Sequence, residues 1–319
     1  HGIFDYFLRN PICQDMGRKF KIAVSSSEKD SAYAYIHDVG LIPKTQVNEN
    51  GKEVKGFKVL VGGGLGAQPL MAQTAHEFLE EQFIIPFIEA VIRVFDRYGE
   101  RVRRHKARMK YLLADIGLEE FLSRVKDEQK ALKNKEFAVN TLPFAVDSLY
   151  TSTREEGLTK EDLIAQAQDT IYKKWLETNV FEQKQKGWYG VQLRVLLGDM
   201  HSSTARKLAD IVRQYAANDI RVTVNQGYLL RFVKAEDLAV VYEKLNELGL
   251  AEPGFDTTAD ITTCPGTDTC NLAISSSYGI TRVLETMMKE EFPDIIYNND
   301  IKIKISGCMN GCGQHSAAN

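Results

Sequence analysis

Short runs of alternating apolar and polar residues recur along the chain. Residues 18–24 (Arg-Lys-Phe-Lys-Ile-Ala-Val) put Phe20, Ile22 and Val24 on one face and Lys19, Lys21 and Ala23 on the other, which predicts a strand. Strands are also predicted at 32–42 and 56–61, flanking a hairpin-like turn at 48–53. A glycine run, Gly62-Gly63-Gly64-Leu65-Gly66, follows directly. From 70 to 132 the pattern reads as one long amphipathic helical region, rich in Arg and Lys between 93 and 110. Thr159 to Glu177 reads as helical, inside a glycine-poor stretch that suits a connector. Tyr189 to Leu197 alternates, Ser203 to Tyr215 has the helical period, Ile220 to Val233 is a strand pair around Asn225-Gln226-Gly227, and Ala235 to Leu248 is helical. That β-α-β-α order predicts a ferredoxin-like α+β layer. Beyond a loop and short strand at 251–263, a helix is expected to open at Cys264–Cys270 and run to about Glu291, followed by a strand at Ile301–Ile305 and a tight turn at Gly307–Gly313.

One segment echoes another. Phe20-Lys-Ile-Ala-Val-Ser-Ser-Ser27 can be laid on Ile301-Lys-Ile-Lys-Ile-Ser-Gly-Cys308; both are basic/apolar strands entering a small-residue turn. The 319 residues are 44% apolar and 26% charged, enough for two globular domains at about 150 residues each. The 40 basic and 43 acidic residues give a net charge of -3, so bulk charge favours neither nucleic acid nor an anionic membrane. No apolar run approaches the roughly 18 residues that span a bilayer. Residue 1 is His, the first twenty residues lack the features of a signal peptide, and the chain stops at His-Ser-Ala-Ala-Asn. An internal fragment of a longer protein is expected. Five cysteines without a secretory signal suggest a reducing, cytoplasmic setting.

Four of the cysteines form two pairs, Cys264-x5-Cys270 and Cys308-x3-Cys312, separated by 37 residues. Four soft thiolates in two close pairs suit zinc or an iron–sulfur cluster. Both spacings are wider than the two-residue gap usual in zinc knuckles, and a cubane is wider than one ion. Gly266, Gly307, Gly311 and Gly313 let backbone approach a bulky group and donate N–H to its sulfurs. The reading therefore favours a cluster over zinc or over four unrelated thiols. Asn310 can hold the second turn by local hydrogen bonding. Cys13 has no close partner in sequence. The glycine run lacks the spacing of a Rossmann fingerprint and the Gly-Lys-Ser/Thr of a P-loop.

At this point the sequence resembles the sirohaem-dependent sulfite and nitrite reductases. The turn Ser306-Gly-Cys-Met-Asn-Gly-Cys-Gly313, together with Cys264 and Cys270, is similar to that family's [4Fe-4S] site. The resemblance implies Cys264, Cys270, Cys308 and Cys312 as cluster ligands, with Cys312 bridging to the sirohaem iron. Arg18-Lys-Phe-Lys21 looks like the family's distal strand, so Lys19 and Lys21 would bind the oxyanion and deliver protons. Residues 56–65 resemble its glycine-rich sirohaem loop, which implies contacts from Gly62, Gly63 and Gly64. The run Arg101 to Tyr111 resembles a basic helix meeting sirohaem carboxylates, with Arg108 the best candidate. The implied fold is α+β, a pseudo-two-fold duplication truncated at both ends: a first sirohaem-binding half at 1–150 without cluster cysteines, a connector at 151–186, a ferredoxin-like half-domain at 187–252, and a sirohaem/[4Fe-4S] half at 253–319. The other ferredoxin-like half, with the family's distal arginines, would lie outside this chain.

The implied reaction is six-electron reduction of sulfite to sulfide, or of nitrite to ammonia, with electrons from ferredoxin or a flavoprotein subunit. Two lysines at i and i+2 of a strand would project from one face toward a small anion. That pair resembles the sulfite branch more. Two readings of other classes compete: a zinc- or cluster-stabilised module whose basic helix contacts RNA, and a cluster-only electron carrier. Asn225 and Gln226 sit where the family has a polar turn near its cofactors, though a plain hairpin explains them equally well. His315 is expected outside the ligand set.

Overall fold

The computed structural model describes residues 1–138 and 158–318. The chain divides into two compact units, His1–Phe144 and Ala145–Asn319. The first contains a four-stranded sheet in the order β1 (Ile22–Val24), β2 (Val39–Val47), β3 (Glu53–Val61), β4 (Gln73–Glu80). β1 runs parallel to β2, and β2, β3 and β4 are successively antiparallel. The β2–β3 turn is closed by Asn48, whose Oδ1 accepts from the N–H groups of Asn50 (3.1 Å) and Lys52 (3.0 Å), and by Gly51 in the left-handed region at φ +73. Register pairs Val39 with Val61 at the buried end and Val47 with Glu53 at the exposed tip.

The long helical region expected over 70–132 is corrected. Residues 73–80 pair with β3, and helix starts only at α2 (Glu81–Tyr98), then α3 (Met109–Ile116) and α4 (Leu118–Ala131). Gln-Thr-Ala-His-Glu-Phe-Leu-Glu has no strong strand preference of its own; a free β3 edge decides its state. α2 buries Ile84, Ile85, Phe87, Ile88, Val91 and Phe95 among others, packing on β2, β3 and the two later helices. Pro86 lies inside α2 and has no N–H for the carbonyl of Gln82; that carbonyl accepts instead from Phe137 N–H at 2.9 Å. The basic stretch expected as helix is also corrected: only a single 3-10 turn, Arg104–Lys106, precedes α3.

In the second unit, α5 (Lys160–Gln166) opens with a capping box between Thr159 and Asp162, and α6 (Thr170–Asn179) is capped by Asp169. An antiparallel sheet follows in the order β5 (Val180–Glu182), β6 (Trp188–Leu193), β8 (Tyr228–Lys234), β7 (Ile220–Val222). α7 (Ser202–Tyr215) and α8 (Leu238–Glu247) bury Leu208, Ile211, Val212, Val241 and Leu245 with Trp175, Leu176, Val180, Val191 and Leu230 in one core. The stretch read as a connector thus gives α5, α6 and β5 to this unit; residues 151–157 and the boundary at 150 lie outside the described residues. The final segment holds the two-residue strands β9 (Thr262–Thr263) and β10 (Lys304–Ile305), paired in parallel, and α9 (Ser277–Glu291). The helix expected from Cys264 is corrected: it begins at Ser277, capped by Ser276. Residues 264–276 form turns around Gly266, whose φ of +60 cannot continue a helix.

Candidate cofactor sites

In the second unit, β9 and β10 run into the two cysteine turns and bring their backbones together. Cys264 N–H donates to the carbonyl of Ile305 at 3.1 Å, and Gly307 N–H donates to Cys264 Sγ at 3.1 Å. The carbonyl of Gly307 accepts from Ile274 N–H at 2.9 Å, fastening the loop after Cys270 to the second turn. Glycine is required where the turns touch. A Cβ on Gly307 would sit 2.8 Å from Gly266 Cα, and one on Gly313 would sit 1.8 Å from the Ile305 oxygen. Asn310 Nδ2 reaches Cys308 Sγ at 3.4 Å.

All five cysteines are free. Cys264 is buried, Cys270 and Cys308 are half-buried, and Cys312 is exposed. Burial alone would raise the Cys264 pKa; hydrogen bonds from Ser277 and from backbone N–H groups of Gly307 and Gly266 outweigh it and hold the thiol below its ordinary value. Among the described residues, no three His, Cys, Asp or Glu side chains are grouped as if around a metal ion. The structure therefore unites the two turns without drawing the four sulfurs onto one point.

In the first unit, Lys19 and Lys21 are exposed, and they precede β1, which starts at Ile22. Between them Phe20 turns inward, its ring 6.0 Å from that of Phe95. Ala23 is buried and Val24 is half-exposed, the reverse of the expected facing beyond Ile22. The backbone of Lys21 is fixed from both sides: its N–H donates to Asp38 Oδ2 at 2.9 Å, and its carbonyl accepts from Val39 N–H at 3.1 Å.

Asp38 is fully buried and also pairs with Arg108, which donates from Nη2 to Oδ2 at 2.7 Å and from Nε to Oδ1 at 3.3 Å. This side-on pairing leaves Arg108 Nη1 with no partner among the described residues. Burial pushes the Asp38 carboxyl up, opposed by the guanidinium and the Lys21 N–H. The carbonyls of Asp38 and His37 accept from Gly62 and Gly63, each at 2.9 Å. The glycine loop has little room. A Cβ on Gly63 would lie 2.4 Å from the Tyr35 oxygen, and one on Gly64 would lie 3.1 Å from Lys110 Cδ and 3.2 Å from Arg108 Nη2. Lys110 is buried, with its ammonium donating to the carbonyls of Gly64 (3.4 Å), Leu65 (3.0 Å) and Gln68. The sequence reading missed Asp38 and Lys110. The available signal was a carboxylate at the mouth of the apolar run Val39–Ile42, and a lysine on the apolar face of α3. The basic stretch itself is tied to the chain ahead of β1: Arg101 donates to the carbonyl of Asp15 at 3.2 Å, and Arg18 to that of Arg104 at 3.4 Å.

The fold and the paired turns define an α+β protein with a ferredoxin-like half and two glycine-bounded cysteine turns seated on one another. Residues 3–133 match the nitrite and sulphite reductase 4Fe-4S domain, and residues 181–248 match the nitrite/sulfite reductase ferredoxin-like half domain. The chain belongs to the sirohaem-dependent sulfite and nitrite reductase family. It is 28% identical over 311 residues to an assimilatory ferredoxin-dependent nitrite reductase of Haloferax mediterranei, covering 95% of this chain and 49% of that one. It is 26% identical to sulfite reductase [ferredoxin] 1 of Mycolicibacterium paratuberculosis, covering 98% and 50%. The solved NirA protein of Mycobacterium tuberculosis shares the fold at a TM-score of 0.74 with 23% identity, over 98% of this chain and 51% of that one. The chain thus spans about half the length of the curated relatives it matches.

Sirohaem and a [4Fe-4S] cluster are the family's cofactors, and the donor set fits the cluster: free thiols, one already holding hydrogen bonds that favour thiolate, on turns where any side chain would clash. The stretch matching the 4Fe-4S domain holds only Cys13, so the thiols offered here lie beyond it, at 264–312. Among the described residues no helix is long and apolar enough to cross a membrane.

Proposed function

We propose that this chain is the cofactor-bearing part of a reductase that converts sulfite to sulfide. The observation that carries the reading is the seating of the Cys264 turn on the Cys308 turn, through Gly307 N–H to Cys264 Sγ and the Gly266–Gly307 approach. Cys264, Cys270, Cys308 and Cys312 would hold the [4Fe-4S] cluster, with Cys312, the most exposed, shared with the sirohaem iron. When bound, these groups would supply the electrons for the reduction.

The remaining roles fall to side chains. Lys19 and Lys21 attract a small oxyanion and pass protons to it as its oxygens leave as water. Asp38 accepts from the Lys21 backbone N–H and so fixes the root of that lysine. Arg108 keeps Nη1 available for a carboxylate of the macrocycle, and Gly62, Gly63 and Gly64 allow its close approach. By this reading 1–150 is the sirohaem half without cluster ligands, 187–252 the ferredoxin-like half, and 253–319 the cluster half. Ferredoxin or a flavoprotein subunit would supply electrons, in a reducing compartment such as the cytoplasm where the thiols stay free.

Nitrite reduction to ammonia is the second reading. The relative from Haloferax mediterranei, whose name specifies nitrite, favours it. Steady-state reduction of sulfite and nitrite by the whole protein separates the two. For Lys21→Ala we expect a loss of anion turnover of about 100-fold, within the usual range for a proton donor, and for Cys312→Ser a loss of all turnover. Undiminished turnover in Cys312→Ser contradicts the bridging role.

A further inference from the structure

The hairpin turn between β7 and β8 reaches out of its own sheet. Gln226 sits there in the left-handed region, φ +65, and its carboxamide bonds twice to one residue: Nε2 donates to the Thr263 carbonyl, and Thr263 N–H donates to Oε1, both at 2.8 Å. Thr263 is fully buried. Its neighbours Thr262 and Cys264 give their N–H groups to the carbonyls of Ile303, just ahead of β10, and of Ile305 within it. In a strand, alternate residues present their backbone groups to opposite edges. Thr263 therefore faces the other edge, where no strand pairs among the described residues, and the Gln226 side chain takes the place of one. A buried N–H and C=O would otherwise stand unpaired.

The conformation that allows this is maintained against strain. Gly227 is obligatory, since a Cβ there would lie 2.1 Å from the Leu193 oxygen; Gly198, at φ +74, leaves only 3.1 Å to Gln226 Cβ. Left-handed non-glycine residues of this kind concentrate where function needs a fixed geometry. Next to the clamp, Asn225 donates to Asp256 and Asp260, each at 3.2 Å, and Arg194 donates to the carbonyls of Pro253 and Ala259. The ferredoxin-like sheet thus grips the chain leading to the first cysteine by three polar side chains, and Gln226 grips it one residue from the thiol.

We propose that Gln226 is a positioning residue for Cys264: by acting as a substitute strand it fixes β9 and so sets where the sulfur stands. The proposal rests on the cofactor reading only for what the sulfur then does. The test compares Gln226→Met, which keeps the size and loses both hydrogen bonds, with Gln226→Glu, whose carboxylate faces the Thr263 carbonyl. In the cofactor-free protein, iodoacetamide labelling of Cys264 is followed by peptide mass spectrometry against Cys13, which lies in the other unit. Unfolding is followed by fluorescence of Trp175 and Trp188, the chain's two tryptophans, both in the second unit. Labelling of Cys264 relative to Cys13 should rise by about tenfold in both variants, as expected of a local opening, with the fluorescence midpoint unchanged. After cluster loading, the electron paramagnetic resonance spectrum of the reduced cluster should change shape relative to the unsubstituted protein. A labelling ratio unchanged in both variants overturns the proposal, as does a rise matched by a fall in the unfolding midpoint, which marks general loosening. An unsubstituted protein that takes up no iron defeats the cofactor reading, while the labelling ratio still decides the role of Gln226.

Discussion

The two echoing strands meet similar partners in different surroundings. β1 pairs in parallel with β2, and β10 pairs in parallel with β9. β1 belongs to a four-stranded sheet with apolar packing on both sides: Phe20 and Ile22 join the cluster built on α2, while Ala23 joins Ala34, Ile42, Leu60 and Ala72. β10 has one neighbour of two residues, and the buried apolar cluster near it is small: Ala259, Met288 and Ile296. Hydrophobic burial fixes the first arrangement. Directional polar contacts from Arg194, Asn225 and Gln226 fix the second, and the turn after it carries Cys308 where the turn after β1 carries Ser27.

Breaking the buried Asp38–Arg108 pair of the first unit should have the greatest effect on stability. Asp38→Ala leaves Arg108 without its buried partner and Lys21 N–H without its acceptor. The first unit should lose about 3–5 kcal/mol, read as a shift in urea unfolding followed by hydrogen exchange of its amides. Gly63→Ala comes next, because the new methyl must displace the Tyr35 and His37 carbonyls; about 1–3 kcal/mol is expected in the same measurement. The smallest effect is a pH dependence. Burial lowers the pKa of both His37 and His76, so the unfolded chain binds protons there before the folded one does. Stability of the first unit should be level above about pH 6.5 and fall as pH drops below it, by at most about 1.4 kcal/mol per pH unit for each imidazole. His37→Gln should flatten part of that slope. A second unit that lost stability as steeply over the same range would remove the contrast.

The ferredoxin-like half was legible because its period changes are clear and its core is local: Tyr189, Val191 and Leu193 alternate, and Leu208, Ile211 and Val212 share a helical face. The turn at Gly307–Gly313 was legible from its glycines, whereas the turn around Cys264 was read as the start of a helix that the left-handed Gly266 does not allow. Residues 73–80 were not, since their strand state comes from pairing with β3, which lies well before them in sequence. The basic stretch misled for a related reason. Its charges suit a helix, yet Arg101 and Arg18 spend theirs on backbone carbonyls that hold it in turns. Asp38 and Lys110 escaped notice because a charge looks like surface until its partners are known, and theirs are 70 and more than 40 residues away.

The central claim is that four thiols from two turns share one cluster. Iron and acid-labile sulfide should be counted per chain after anaerobic reconstitution, with Cys264→Ser and Cys308→Ser alongside. The account predicts about four irons and four sulfides in the unsubstituted protein, and loss of the intact cluster in each variant. One zinc per chain, or iron uptake indifferent to both substitutions, would contradict it.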